Sequence, residues 1–137
     1  IDFPEDYRML NSGLKHLLFQ GHLRCSPNFD RLVYAASRFG YLQVLSPQEN
    51  GSLSLVKDYF VQQPIFRDCS SQDMTAMSLS RENQSGFNDL SVTDELIFAL
   101  YSGRKANEER SYFANQVWVW KPCKKNDIAS RCLEYLR

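Results

Sequence analysis

The sequence predicts an α+β, mainly β chain: an antiparallel β-sandwich or partly open barrel with an N-terminal and a C-terminal helix packed on it. Three observations carry this. Short apolar and β-branched blocks, separated by Gly, Pro and Asn-Gly turn signals, fill residues 32–61 and 96–120, which is how short strands are spaced. Residues 3–20 and 126–136 repeat their apolar positions at helical steps. The order helix, strands, helix is also not that of alternating parallel units. At 137 residues the chain reads as one domain, residues 1–137, long enough to bury about two-thirds of its unfolded surface without a metal or disulfide.

The elements follow in order. Phe3, Tyr7, Leu10, Leu14, Leu17 and Leu18 form one apolar stripe, with Asp2 as cap, Pro4 in the first turn, Glu5 and Asp6 at the positive end and Gly21 as the stop. Gly13 inside this pattern costs about 1 kcal/mol against Ala. Leu32–Ala36 and Tyr41–Leu45 flank Ser37-Arg38-Phe39-Gly40 as a hairpin, and Pro47 ends its second strand. Asn50-Gly51 then turns the chain into a third antiparallel strand at Leu53–Val56, continuing toward Tyr59-Phe60-Val61. Residues 67–91 are polar and hold six serines, with Met74, Ala76, Met77 and Leu79 as the apolar island of one short strand. A connection of that length inside a domain reads as a functional or mobile loop. Leu96–Tyr101 is an apolar run, residues 103–110 a charged loop, and Tyr112-Phe113 with Val117–Trp120 a strand ended by Pro122. Ile128, Cys132, Leu133 and Leu136 form the apolar side of a final helix capped by Asn126 or Asp127.

An internal match supports the strand reading of 96–101. Asp30-Arg31-Leu32-Val33-Tyr34-Ala35-Ala36 and Asp94-Glu95-Leu96-Ile97-Phe98-Ala99-Leu100 agree position by position at an offset of 64, and each copy is followed by a strand ending in proline. Two similar hairpins follow, each with a first strand buried on both faces. The second hairpin, ending in Val119-Trp120-Lys121-Pro122, is similar to the outer half of a WD40-type propeller blade, and the first less closely so. The offset exceeds that repeat's roughly 40–45 residues, and the Gly-His and Trp-Asp dipeptides are missing. The fold expectation therefore stays with a sandwich or barrel, of which a pleckstrin-like barrel closed by its C-terminal helix is one version.

Charge and chemistry narrow the function. Sixteen basic and sixteen acidic residues balance, which is not the charge of a chain that is basic overall, as many nucleic-acid binders are. No apolar run approaches the roughly 20 residues of a membrane-spanning helix. The chain opens at Ile1 rather than Met, as a processed chain or an excised domain does. Four cysteines, Cys25, Cys69, Cys123 and Cys132, suit two disulfides, and Asn50-Gly51-Ser52 and Asn83-Gln84-Ser85 are glycosylation sequons. The wide cysteine spacing suits a reducing compartment equally, so secreted and cytoplasmic readings stand level. His22 lies three residues before Cys25, the one candidate thiolate–imidazole pair for a small Cys/His enzyme. Short zinc-ligand spacing is absent, and no metal or cofactor is implied.

The last segment carries the sharpest local signal. From residue 103 onward the net charge is +4, against −5 over residues 49–95. Trp118 and Trp120 share one face of their strand, and Lys121, Lys124 and Lys125 follow directly. Exposed, that face suits a nucleic acid or a sugar ring; buried, it is core. Without a catalytic constellation, the sequence points to a non-enzymatic protein–protein interaction module. Such a module presents residues 67–91 and 103–110, with Arg104 and Lys105, to a partner protein through its charge asymmetry. The alternative is a nucleic-acid- or carbohydrate-binding domain on Trp118, Trp120 and the lysines.

Overall fold

The structure, a computed structural model, describes residues 3–122 and the strand at Leu133–Leu136. It is mainly β, and its sheets are antiparallel throughout. The N-terminal segment is not one continuous helix. A 3₁₀ turn at Glu5–Tyr7 is followed, after a break, by helix α1 at Ser12–Leu18. Asn11 makes the break: its backbone is extended, and its side chain accepts the Leu14 N–H at 2.8 Å as the true cap. The stop comes at Phe19, because Gly21 already begins a strand.

The first sheet is a four-stranded meander of β1 (Gly21–Cys25), β2 (Leu32–Ala36), β3 (Tyr41–Pro47) and β4 (Leu53–Phe60) in that order. Strand β1 has no predicted counterpart: four of its five residues are exposed, so it carries no alternation to read. The β3–β4 turn is the expected Asn50-Gly51, with Gly51 at φ +81°, and β4 runs on to Phe60 past a bulge where Val56 has no partner opposite.

Residues 67–91 are far from structureless. Strand β5 (Phe66–Asp68) pairs with β6 (Met77–Leu79) as a small hairpin, and β7 (Phe87–Val92) opens the second sheet. That sheet continues through β8 (Ile97–Tyr101), β9 (Gln116–Pro122) and β10 (Leu133–Leu136), again a meander in chain order. The expected C-terminal helix is therefore corrected at Leu133–Leu136, which pairs antiparallel with β9. A helix of a few residues is marginal alone, while the open edge of β9 pairs with the backbone groups that face it along a strand laid there. Asn126, Asp127, Ile128 and Cys132 of that expected helix lie outside the described residues.

Two apolar clusters explain the arrangement. Val33, Ala35, Leu42 and Val44 on one face of the first sheet meet Phe87, Leu90, Ile97, Ala99, Tyr101 and Trp120 of the second. The other face of the first sheet, with Tyr34, Ala36 and Tyr41, is covered by Tyr7, Leu18 and Phe19 of the N-terminal segment, by Phe39, and by Phe66, Met77 and Leu79 of the β5–β6 hairpin. Tyr34 closes this side by donating its buried hydroxyl to the Phe19 carbonyl at 2.7 Å, and burial pushes its phenol well above the ordinary range. Strand β2 is thus buried on both faces as expected. Strand β8 is not: Phe98 is half-buried and Leu100 exposed. Neither sheet closes on itself among the described residues, so the barrel alternative finds no closing strand pair there.

The β1–β2 turn is held by charge. Arg31 grips Asp30 with Nε and Nη2 at 2.8 and 2.9 Å, while buried Ser26 Oγ sits 2.9 Å from the same carboxylate. From the other sheet, Asp94 accepts the Asn28 N–H at 3.2 Å, so the two matched aspartates sit at one end of the molecule. The Arg31 hydrogen bond leads in lowering the Asp30 carboxyl to about 2, with Ser26 and Asn28 adding to it against the cost of burial. A carboxyl depressed in the folded state contributes stability above its unfolded value near 4 and loses it as pH falls through 2. The Asp30→Asn variant is accordingly less stable than wild type at pH 6, and the difference shrinks toward zero between pH 4 and pH 2. Thermal melts across that range check this, and a difference that stays constant with pH refutes it.

Candidate functional site

The two segments nominated by the sequence, 67–91 and 103–110, are drawn together. Ser85 donates its N–H to Arg104 O at 2.8 Å, Gly103 returns one to Ser85 O at 3.0 Å, and Ala106 donates to Asn83 O at 3.3 Å. Lys105 Nζ meets Glu82 Oε2 at 2.6 Å, and that hydrogen bond raises the Lys105 pKa. Both partners are exposed, so the pair adds little stability and serves to join the loops. Tyr101, whose phenol is pushed up to about 12 chiefly by burial and further by Tyr59, donates as a neutral group to Gln84 Oε1 at 3.1 Å.

Two residues place this surface against the first sheet. Gly86 donates its N–H to Ser37 O at 3.0 Å, and a Cβ there would stand 2.2 Å from the Phe39 carbonyl oxygen and 2.3 Å from that of Ala36. Only glycine lets the backbone cross the β2–β3 turn so closely. Asn83 is 4% exposed and clamps Ile65 with both ends of its amide, accepting the N–H and donating to the carbonyl, each at 2.8 Å. Its sequon is therefore engaged inside the fold, whereas Asn50 lies exposed in a turn, accepting the Ser52 N–H at 3.0 Å.

Where the first strands of the two sheets, the β2–β3 turn and these loops converge, they leave an open cleft of about 420 Å³. Its walls are His22, Ser37, Arg38, Ser80, Asn83, Ser85, Asn88 and Tyr112, with Leu79, Phe87 and Ala106 as the apolar part. Hydroxyls, amides, one imidazole and one guanidinium face it, and none of its lining residues is a carboxylate. Arg38 is steadied through Nε on Gln20 Oε1 at 3.0 Å, and Asn88 donates Nδ2 to the Tyr112 carbonyl. On the rim, Tyr112 and Phe113 are 68% and 52% exposed, with ring centroids 4.8 Å apart.

The remaining candidates are dispersed. His22 lines the cleft while Cys25 stands three residues along β1, on the opposite side of the strand and about 10 Å away. The strand thus separates the imidazole from the thiol. Cys25 and Cys69 are free, exposed thiols, and Cys123 and Cys132 lie outside the described residues. Trp118 and Trp120 do share a face, with centroids 5.6 Å apart, but that face is the core: Trp120 is 1% exposed and both rings pack edge-on against Phe87. They do not form an open stacking platform. Lys121 is exposed on the other side of β9, and Lys124 and Lys125 lie outside the described residues. Arg104 is half-buried and donates Nη1 to Glu109 O of its own loop at 3.1 Å. Among the described residues no cluster of three or more His, Cys, Asp or Glu could hold a metal ion, and no helix is long and apolar enough to cross a membrane. Arg38 and Tyr112 escaped the sequence reading, and Asn88 lies within the nominated segment 67–91 without having been singled out. The only signal was the position of Arg38 in a hairpin turn, since such tips are where loops present function.

Comparison with protein-family models, with curated proteins and with solved structures yields no match.

The Asn83 clamp sets the shape of the cleft wall. Replacing it by Ala strands one donor and one acceptor of Ile65, and the loss in stability is about 2 kcal/mol. Urea unfolding followed through the buried tryptophans measures it. A loss below about 0.5 kcal/mol, within the range of ordinary surface substitutions, shows that the clamp is dispensable.

Proposed function

We propose that the protein is a non-enzymatic protein–protein interaction module whose partner seats a polar, acidic loop in the cleft between the two sheets. One observation carries the reading. The acid-rich stretch 49–95, net −5, contributes much of the cleft wall yet places none of its eight acids in it, leaving Arg38 and His22 as the groups that can bear positive charge. Such an island within an acidic surround favours one docking orientation over non-specific attachment. The two nominated loops supply a preorganised rim, because their backbone hydrogen bonds to each other reduce the ordering cost of binding.

The carbohydrate alternative is supported by a different group from the one expected. With Trp120 in the core, the exposed rings beside the cleft are Tyr112 and Phe113, and a sugar would stack on those.

Arg38→Glu separates the readings. Affinity capture from the source cell, quantified by mass spectrometry, recovers at least tenfold less of the same specific prey with Arg38→Glu than with wild type. Tyr112→Ala has a smaller effect, and the melting temperature of both variants stays within about 2 °C of wild type. Equal recovery by wild type and Arg38→Glu removes the cleft as the partner site. Glycan-array binding that survives Arg38→Glu but is lost in Tyr112→Ala establishes the carbohydrate reading instead.

A further inference from the structure

The two sheets stack head to tail, and the stack is open at one end. Backbone pairing shows which faces correspond. In the first sheet, Ser26 N–H to Arg31 O at 3.0 Å and Ser37 N–H to Gln20 O at 2.8 Å bracket the β1–β2 pair. Hydrogen-bonded positions alternate along an antiparallel pair, so Val33 and Ala35 are the β2 residues bonded back to β1. In the second sheet, Thr93 N–H to Leu96 O at 2.8 Å and Ser102 N–H to Gly86 O at 3.1 Å bracket β7–β8. There Phe98 and Leu100 are the residues bonded back to the first strand.

Both sheets are meanders in the same order, and for L-residues a given bonding direction puts the side chain on a given face. The Val33 and Ala35 face therefore corresponds to the Phe98 and Leu100 face. Cross-strand register carries this on to the next strand, where Leu42 and Val44 correspond to Val117 and Val119. This spatial correspondence is one residue away from the sequence match at 64, and a shift of one exchanges the faces of a strand.

In the first sheet this face is buried under the second sheet. In the second sheet nothing among the described residues covers it: Leu100 is 40% and Val117 57% exposed, with Phe98 and Val119 half-buried. A contact joining one face to a different face does not close on two members, and it can be repeated. The last member of such a stack needs a polar outer face, or else a further member. This one is apolar at β8 and β9, with Asp89 and Ser91 of β7 and Lys121 on the same face, much as His22 and Arg24 of β1 share the covered face of the first sheet.

None of the described residues supplies the cover. A second copy cannot repeat the contact between the two sheets, because its Tyr34, Ala36 and Tyr41 face already lies under the N-terminal segment and the β5–β6 hairpin; it has only this same face to offer, like against like. We infer that the Phe98, Leu100, Val117 and Val119 face receives a third four-stranded antiparallel sheet, carried by polypeptide that follows residue 137. It stacks there as the second sheet stacks on the first, since order along the chain is already order in the stack.

Maleimide labelling of Leu100→Cys and Val117→Cys tests this, read peptide by peptide in the 137-residue chain and in the natural polypeptide at its full length. Both positions label freely in the shorter chain and at least tenfold more slowly in the longer one. Adding Val117→Asp to Leu100→Cys in the longer chain restores fast labelling, while the emission of core Trp120 keeps its wavelength. Three results overturn the inference. The rates are equal in the two chains; or the natural polypeptide ends at residue 137; or the shorter chain is itself protected and loses protection on dilution, which makes a second copy the occupant.

Discussion

The packing of an aromatic wedge against a small-residue face is what the rest of this structure depends on. Ala35 and Val33 at the centre of the first sheet leave room for the second sheet to approach, and Trp120, Phe87 and Tyr101 fill that room. Rings of this size dominate core energetics, and truncating one in a dry site costs about 3–5 kcal/mol. Tyr59 from β4 reaches across to both tryptophans, with centroids 6.4 and 6.5 Å away. The edge of the first sheet is thereby tied into the same core. Because the tryptophans are committed there, their strand cannot also serve as an open platform.

The position of the cleft is a consequence of that packing. Once the sheets are pressed together, β7 runs beside β1, and the chain entering β7 has to cross the β2–β3 turn. The crossing is tight enough that Gly86 touches two carbonyl oxygens. The loop before it is then pinned by Asn83 and zipped to the loop after β8. Rigid elements thus position a polar surface built from residues distant in sequence. Several acids of the middle segment are engaged elsewhere: Glu82 with Lys105, Asp89 with Arg24, and Asp94 with the Asn28 N–H. This leaves a concavity whose lining includes Arg38 and His22 and no carboxylate.

The two sheets, both meanders in chain order, meet through unlike faces. A module that offers one apolar sheet face and one polar cleft has two surfaces of different character, and they would serve different contacts. An apolar sheet face favours permanent burial, because exposing it to water is costly. A polar, partly hydrated cleft tolerates association and release. The covering of the first sheet by α1 and the small hairpin shows how one end of such a stack is finished, with Phe19 and Tyr7 in the role that aromatic strand residues play at the sheet-to-sheet contact.

Strands β2, β3, β4 and β9 were legible because β-branched and aromatic blocks between Pro47, Asn50-Gly51 and Pro122 state their period locally, whereas the apolar run of β8 is ambiguous by itself and was legible only through its match to residues 30–36. The sharing of one face by Trp118 and Trp120, and the nomination of the two loops, came from the same local rules. Strand β1 and the end of the chain were not legible. Gly21–Cys25 is mostly exposed and owes its conformation to pairing with β2, and Leu133–Leu136 is extended because β9 offers it an edge. Asp30 and Asp94 were visible as a matched pair, but not that one would hold a turn of its own sheet and the other a turn of its neighbour. The sequence by itself determined where the strongly patterned segments extend, where they turn and which residues are apolar, since those depend on neighbours a few positions apart. Tertiary structure alone decided which face of each strand is covered, which loops meet, and that His22 lies beside Arg38 in a cleft rather than beside Cys25. Those outcomes depend on pairing and sheet packing between distant residues, where a shift of one position reverses every side chain.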